Sequence, residues 1–222
     1  MKKNLIKIIT LLVFTLASLL FASCIGMGID IQMNADGSGK LSLEYRISTM
    51  LLSLGELDGN ASIPIIPVSR EDFENTAGGI SGMKLVSYSS RKNAEDLIIS
   101  AVLEFDNMNA LMGFLDPALE TASITRNGQS GKLDMILWDN SKNDNYDSNS
   151  ISLMKTVFSG YNFSMSFSGP RNSTMTVTDK DGNQMQVPPN VTASTSGRKT
   201  SLSVGMIDML SMTEGLGVSF SW

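Results

Sequence analysis

The 222-residue chain predicts an α+β fold, a mainly antiparallel sheet with several short helices packed on it. Three observations carry that expectation. Apolar and polar residues alternate in many short runs, the period-2 signature of half-buried strands. Between these runs lie turns of hairpin length rich in Gly, Asp and Asn, such as "ADGSG" and "KDGN". The segments with helical spacing are few, short and bounded by capping residues, and no fixed repeat period runs through the chain.

The chain opens on a leader. Lys2, Lys3 and Lys7 form a positive head, Ile8 to Phe21 is apolar apart from Thr10, Thr15 and Ser18, and the small residues Ala22 and Ser23 lead into Cys24, the only cysteine. Positive head, short apolar core and small-residue exit predict a cleaved secretory signal over residues 1–23. A spanning helix needs roughly 20 apolar residues; the run here is about 14, and no basic cluster follows it. "FASC" resembles the lipobox of bacterial lipoproteins, with Phe21 standing where leucine is commonest, as in the looser lipoboxes of spirochaetes. That resemblance implies that the Cys24 thiol is diacylated and becomes the first residue of a mature chain, 24–222. The bland alternative is a buried free thiol just beyond an ordinary cut. Each buried methylene of an acyl chain contributes about 0.8 kcal/mol, so two or three chains anchor firmly.

Only "IGMG" separates Cys24 from the first alternating run, a tether of at most about 14 Å. Ile29, Ile31 and Met33 share one face against Asp30, Gln32 and Asn34; after the turn, Leu41, Leu43, Tyr45 and Ile47 repeat the pattern, predicting a hairpin. Ser48 to Leu57 has helical spacing, and Pro64 and Pro67 make the next segment a loop or edge. "SRED", Ser69 to Asp72, is a capping-box pattern for a short helix ending at Gly78-Gly79. "MKLVSYSS" pairs with "EDLIISAVLEF", whose Leu97, Ile99, Ala101, Leu103 and Phe105 line one face. A helix follows, capped by Asp106, with Met108, Leu111, Met112 and Leu115 inward and Pro117 as its stop. Further on, "TASITRN" and "GKLDMILW" form a hairpin, and "ISLMKTVFSG" is one more helix. "YNFSMSFSG", "STMTVTD", "NQMQV", "KTSLSV" and "GLGVSFSW" are strands, with a short helix at "MIDMLSM". The polar stretch 139–150 is the one internal boundary candidate, and it reads equally as an excursion within one domain. The strand ending in "NADGSGKLSLEY", the unit "EDLIISAVLEFDNMNALMGFL" and the closing strands resemble LppM-like domains and uncharacterised spirochaetal lipoproteins. This resemblance implies an α+β envelope domain of largely unknown activity, with glycolipid as a candidate ligand, and it transfers no catalytic residue.

Losing Lys2, Lys3 and Lys7 takes Lys plus Arg from 17 to 14 against 22 Asp plus Glu, a mature formal charge of −8. So acidic a chain is a poor partner for nucleic acid, whose phosphates call for Lys and Arg. With no histidine, His-based triads, HExxH zinc sites and the commonest acid–base side chain are excluded. Ser-x-x-Lys pairs at Ser89–Lys92 and Ser152–Lys155 have the spacing of a nucleophile and base on a helix, but the companion Ser-Asp-Asn and Lys-Thr-Gly motifs are missing. Glu71, Asp72, Glu74, Glu104 and Asp106 are the carboxylates available for glycoside hydrolysis; helix-start acids more simply complement the helix dipole. Asp139, Asn143 and Asp147 alternate as calcium ligands do, yet the stretch has Asp144 and Ser150 where an EF-hand requires Gly and Glu. Met27, Met33, Met108, Met112 and Met154 fall on inward faces and read as core filler rather than a copper or lipid groove. No phosphate loop or dinucleotide fingerprint follows a strand.

The expectation is a lipid-anchored protein of the bacterial cell envelope, on its periplasmic face or surface, without catalysis and without a cofactor or metal. Its partners are the membrane, through Cys24, and a lipid, glycolipid or envelope protein, with no nucleic acid. The alternatives are a carboxylate-dependent hydrolase of envelope glycan and a purely structural envelope component.

Overall fold

A computed structural model describes residues 26–49, 67–139, 141, 158 and 160–222. The leader, Cys24, Pro64, Asn143, Asp147, Ser152, Met154, Lys155 and the greater part of the helices expected at 48–57 and 151–160 lie outside these described residues.

Strands β1 (Met27–Met33) and β2 (Gly39–Ser48) form the expected hairpin in antiparallel register. Its turn closes through Asn34 N–H to Ser38 O at 2.8 Å, with Gly37 at φ 92°, a value that favours glycine. Gly39 is required for a different reason: a Cβ there would collide with the Gln32 carbonyl oxygen and the Phe105 ring. Helix α1 (Arg70–Gly78) carries the expected capping box, Ser69 Oγ accepting from Asp72 N–H at 3.1 Å and Asp72 Oδ2 from Ser69 N–H at 2.9 Å. Strands β3 (Met83–Lys92) and β4 (Asp96–Phe105) pair as expected, with a bulge in β3 between Leu85 and Ser87. Helix α2 runs Met108–Leu115, and here the expected cap is corrected by one residue. Asn107, not Asp106, is the N-cap, because its Oδ1 accepts from Ala110 N–H at 2.9 Å while Asp106 N–H bonds back to Gly82 O.

The remaining elements are β5 (Ala122–Asn127), β6 (Ser130–Trp138), β7 (Asn162–Ser168), β8 (Thr174–Thr178), β9 (Val191–Ser196), β10 (Lys199–Gly205), α3 (Met206–Leu210) and β11 (Leu216–Ser221). The strand expected at "NQMQV" is reduced to an isolated bridge between Thr178 and Gln184, while β9, which the alternation did not mark, forms from "VTASTS". Its residues are mostly polar on both faces, so no period-2 signal betrays it.

Two sheets result: seven strands in the order β3-β4-β2-β1-β7-β10-β9, and four in the order β5-β6-β11-β8. Every described pair is antiparallel except β1 with β7, which run parallel. Helices are few: three short ones among the described residues, α1 against β3, α2 against β4 and β5, and α3 following β10. None of them is long and apolar enough to cross a membrane.

One face of the large sheet presents Ile31, Leu41, Ile99, Leu103 and Phe167, all at 0% exposure, to the core. The small sheet closes over part of that face: Phe167 stacks on Phe220 at 5.3 Å and meets Trp222 at 5.0 Å. Helix α1 covers another part, placing Phe73 between Tyr45 and Tyr88. Met33 and Met112 are buried, and Met27 and Met108 pack half-buried against the same cluster, as core filler does.

Candidate functional site: the polar face of the large sheet

Because side chains alternate across a strand, the inward apolar positions leave every second residue on the opposite face. The register lines these residues up in rows. The middle row runs Ser194, Ser201, Ser166, Asp30, Ser42, Val102, Ser87, from β9 to β3. The row nearer the start of β1 runs Thr192, Ser203, Ser164, Gly28, Glu44, Ser100, Ser89. The row on the other side carries long side chains: Ser196, Lys199, Ser168, Gln32, Lys40, Glu104, Lys84. With strands about 4.8 Å apart, each row is a line of roughly 29 Å.

Small side chains in the first two rows and long ones in the third produce a depression. Its volume is about 540 Å³, and its floor includes Gly28, Ser42, Ser100, Ser164, Ser166 and Ser203. Asp30 lies at its centre and gathers three donors: Ser166 Oγ, Gln32 Nε2 at 2.8 Å and Lys199 Nζ at 3.1 Å. Partial burial pushes the Asp30 carboxyl up, but those hydrogen bonds, from Ser166, Gln32 and Lys199 in that order, together hold it below the usual carboxylate range. Beside it Ser194 Oγ and Ser201 Oγ share a hydrogen bond at 2.8 Å. At the end of the face where β1 begins, Tyr161 donates its hydroxyl to Asp96, and the Arg46 guanidinium stands 3.8 Å from the same carboxylate. Burial, then the bond to Asp96, pushes the Tyr161 hydroxyl up to about 12.

Chemically the depression sets short hydroxyls, one fixed ion pair and a second carboxylate, Glu44, on a surface that is mostly carbon by exposed area, Val102 included. Among the described residues no aromatic ring lines it, so it offers hydroxyl hydrogen bonds and aliphatic contact but no ring to stack on. A smaller depression of about 390 Å³ lies over the second sheet; the Lys132–Asp134 and Lys180–Asp181 ion pairs partly neutralise it.

The residues singled out from sequence are placed elsewhere. Ser89 and Lys92 sit three positions apart on an edge strand, so they point to opposite faces and cannot act as nucleophile and base. Asp72 is committed to the α1 cap, Glu74 pairs with Arg70 at 3.3 Å, and Glu104 is held below the usual carboxylate range by Lys84 and Lys40. None of Glu71, Asp72, Glu74, Glu104 or Asp106 lines the depression. Asp139 accepts from Ser141 N–H and Oγ at 2.9 and 2.7 Å, a local turn; among the described residues no cluster of metal-binding side chains forms. Asp30, Glu44 and the serine rows escaped the sequence reading. The available signal was serine at every second position of "YNFSMSFSG" and "KTSLSV", where a plain solvent face carries longer charged side chains.

The fold and site together define a class: a two-sheet, sheet-rich protein with an open hydroxyl-lined depression on its larger sheet. Comparison with protein-family models, with curated proteins and with solved structures returns no match.

Proposed function

We propose that this chain is a lipid-anchored envelope protein that binds and does not react, and that the polar depression of the large sheet takes a hydroxyl-rich head group such as that of an envelope glycolipid. The observation that carries the ligand reading is the serine floor around Asp30: hydroxyls that both donate and accept, set at strand spacing, complement the hydroxyls of a sugar. The filled core supports the choice of a head group over an acyl chain, since the apolar face of the sheet is occupied by Phe167, Phe220, Trp222 and Phe73. The anchor rests on Cys24 and the residues before it.

Titration of isotope-labelled protein with glucose- and N-acetylglucosamine-based oligosaccharides tests the site. Amide shifts should cluster at Ser42, Ser166 and Ser201, and Ser201→Leu, which fills the floor, should weaken binding at least tenfold. Shifts confined to other surfaces would end the reading. For the anchor, Cys24→Ala should move the protein from the membrane to the soluble fraction and abolish acyl labelling.

Glycan hydrolysis has one observation on its side. Asp30 and Glu44 are diagonal neighbours on adjacent strands, with Cα atoms roughly 7–8 Å apart by standard sheet geometry. The donors around Asp30 hold it as a carboxylate, which suits a base and not a proton donor. Reducing sugar released from those same oligosaccharides, and lost in Asp30→Asn, would favour hydrolysis over binding.

A further inference from the structure

We propose that the end of the large sheet where β1 begins rests on the lipid surface, with Ile207 and Leu210 of α3 entering it. This rests on the Cys24 anchor.

Gly26 is fixed in the sheet. Its N–H donates to Asn162 O at 2.7 Å, its carbonyl accepts from Arg46 N–H at 3.0 Å, and a Cβ there would lie 2.7 Å from Tyr161 Cβ, so the chain is pressed against Tyr161. Only Ile25 stands between Gly26 and Cys24. Two Cα steps reach at most about 7.6 Å, so the acyl chains leave the protein beside this end of the sheet.

The same end carries α3. β10 finishes at Gly205 opposite Asn162, and Met206 N–H donates to Tyr161 O at 2.8 Å. α3 therefore starts in the row that holds Gly26, two strands over, or about 10 Å away. Met209 is buried, and Met206 and Met212 pack on the core. Ile207 and Leu210, one helical turn apart, are partly buried and keep some surface in solvent, outside that buried cluster. Apolar side chains that keep part of their surface in solvent this close to an acyl anchor are suited to the bilayer interface. Among the described residues the exposed charges at this end balance, with Arg91 and Lys92 alongside Glu95 and Asp208. Contact is therefore apolar and indifferent to anionic lipid. Two side chains orient a protein that is already anchored; they do not hold it alone.

The test uses the full acylated protein, in which Cys24 is blocked, with one new thiol at a time. Ile207→Cys, Leu210→Cys and, at the far end of β1, the exposed Ala35→Cys each take an environment-sensitive fluorophore. Each is reconstituted in phosphatidylcholine vesicles containing doxyl-labelled lipid, with and without phosphatidylglycerol. Labels at 207 and 210 should be blue-shifted and quenched at least twofold, equally in both lipid mixtures, with the label at 35 unaffected. Aqueous, unquenched spectra at 207 and 210 in protein that floats with the vesicles overturn the proposal and leave the anchor standing. Protein that does not float, or a Cys24→Ala variant that still does, overturns the anchor and the orientation with it.

Discussion

Asp116 shows how much one carboxylate can organise. It is 4% exposed, caps the end of α2, and its Oδ2 accepts from Thr121 N–H and Ala122 N–H at 2.7 Å each, which turns the chain into β5. Burial pushes its carboxyl up, and the backbone donors at Thr121, Ala122 and Glu120 outweigh it and leave it below its ordinary 3.8. Asp116→Ala removes the acceptor of two partly buried N–H groups, and we expect a loss of about 1–3 kcal/mol by urea denaturation. The pH dependence has a definite sign. As pH falls, the unfolded carboxyl takes up its proton first. The stabilisation is therefore complete above 3.8 and disappears as pH drops through the lower folded value. The urea midpoint of the parent protein should fall more steeply than that of Asp116→Ala between about pH 5 and pH 3. Neither Asp116 nor Asp30 is legible as a site in the sequence. Asp116 depends on the path of the turn between α2 and β5, which folds Thr121 and Ala122 back onto it. Asp30 depends on which strands become neighbours, since Ser166 and Lys199 are brought to it across three adjacent strands.

At the level of elements, local chemistry is well written into the chain. The Ser69–Asp72 box predicts α1 because a side chain can satisfy the first free N–H groups only from those positions. We expect Ser69→Ala to cost about 1 kcal/mol, read by thermal unfolding, and to loosen Phe73 between Tyr45 and Tyr88. The cap of α2 is read one residue early because Asp106 and Asn107 are both competent caps; the bond from Asp106 N–H to Gly82 O decides between them. The hairpins of β1–β2, β3–β4 and β5–β6 are legible for the same reason as α1: alternation on both arms and a short turn between them. β9 is not, since a strand held at the sheet edge by β10 alone needs no apolar face of its own. The other edge, β3, carries a bulge, a feature that discourages further strand pairing.

For the molecule as a whole, the two sheets share one apolar cluster, and each draws strands from both sides of residues 139–150. Phe167 joins them, at 0% exposure against Phe220 and Trp222. Phe167→Ala should cost about 3–5 kcal/mol and lower both sheets in one transition, so that tryptophan fluorescence, from Trp138 and Trp222 beside or in the small sheet, and far-UV dichroism lose signal at the same urea concentration. Two separate transitions would mean that the sheets fold independently. The sequence makes the mainly antiparallel, sheet-rich character plain but not the meeting of β1 with β7. Parallel partners need a long crossover and leave no turn signature between them. That pairing has a mechanical consequence. β1 is held on both sides, by β2 and by β7, so a pull at Gly26 along the strand must slide it past two neighbours. The ladder bonds run across the strand, so they bear the load together and do not break one after another. A domain tugged by an edge strand unzips; this one is loaded in shear, through a strand deep inside its larger sheet.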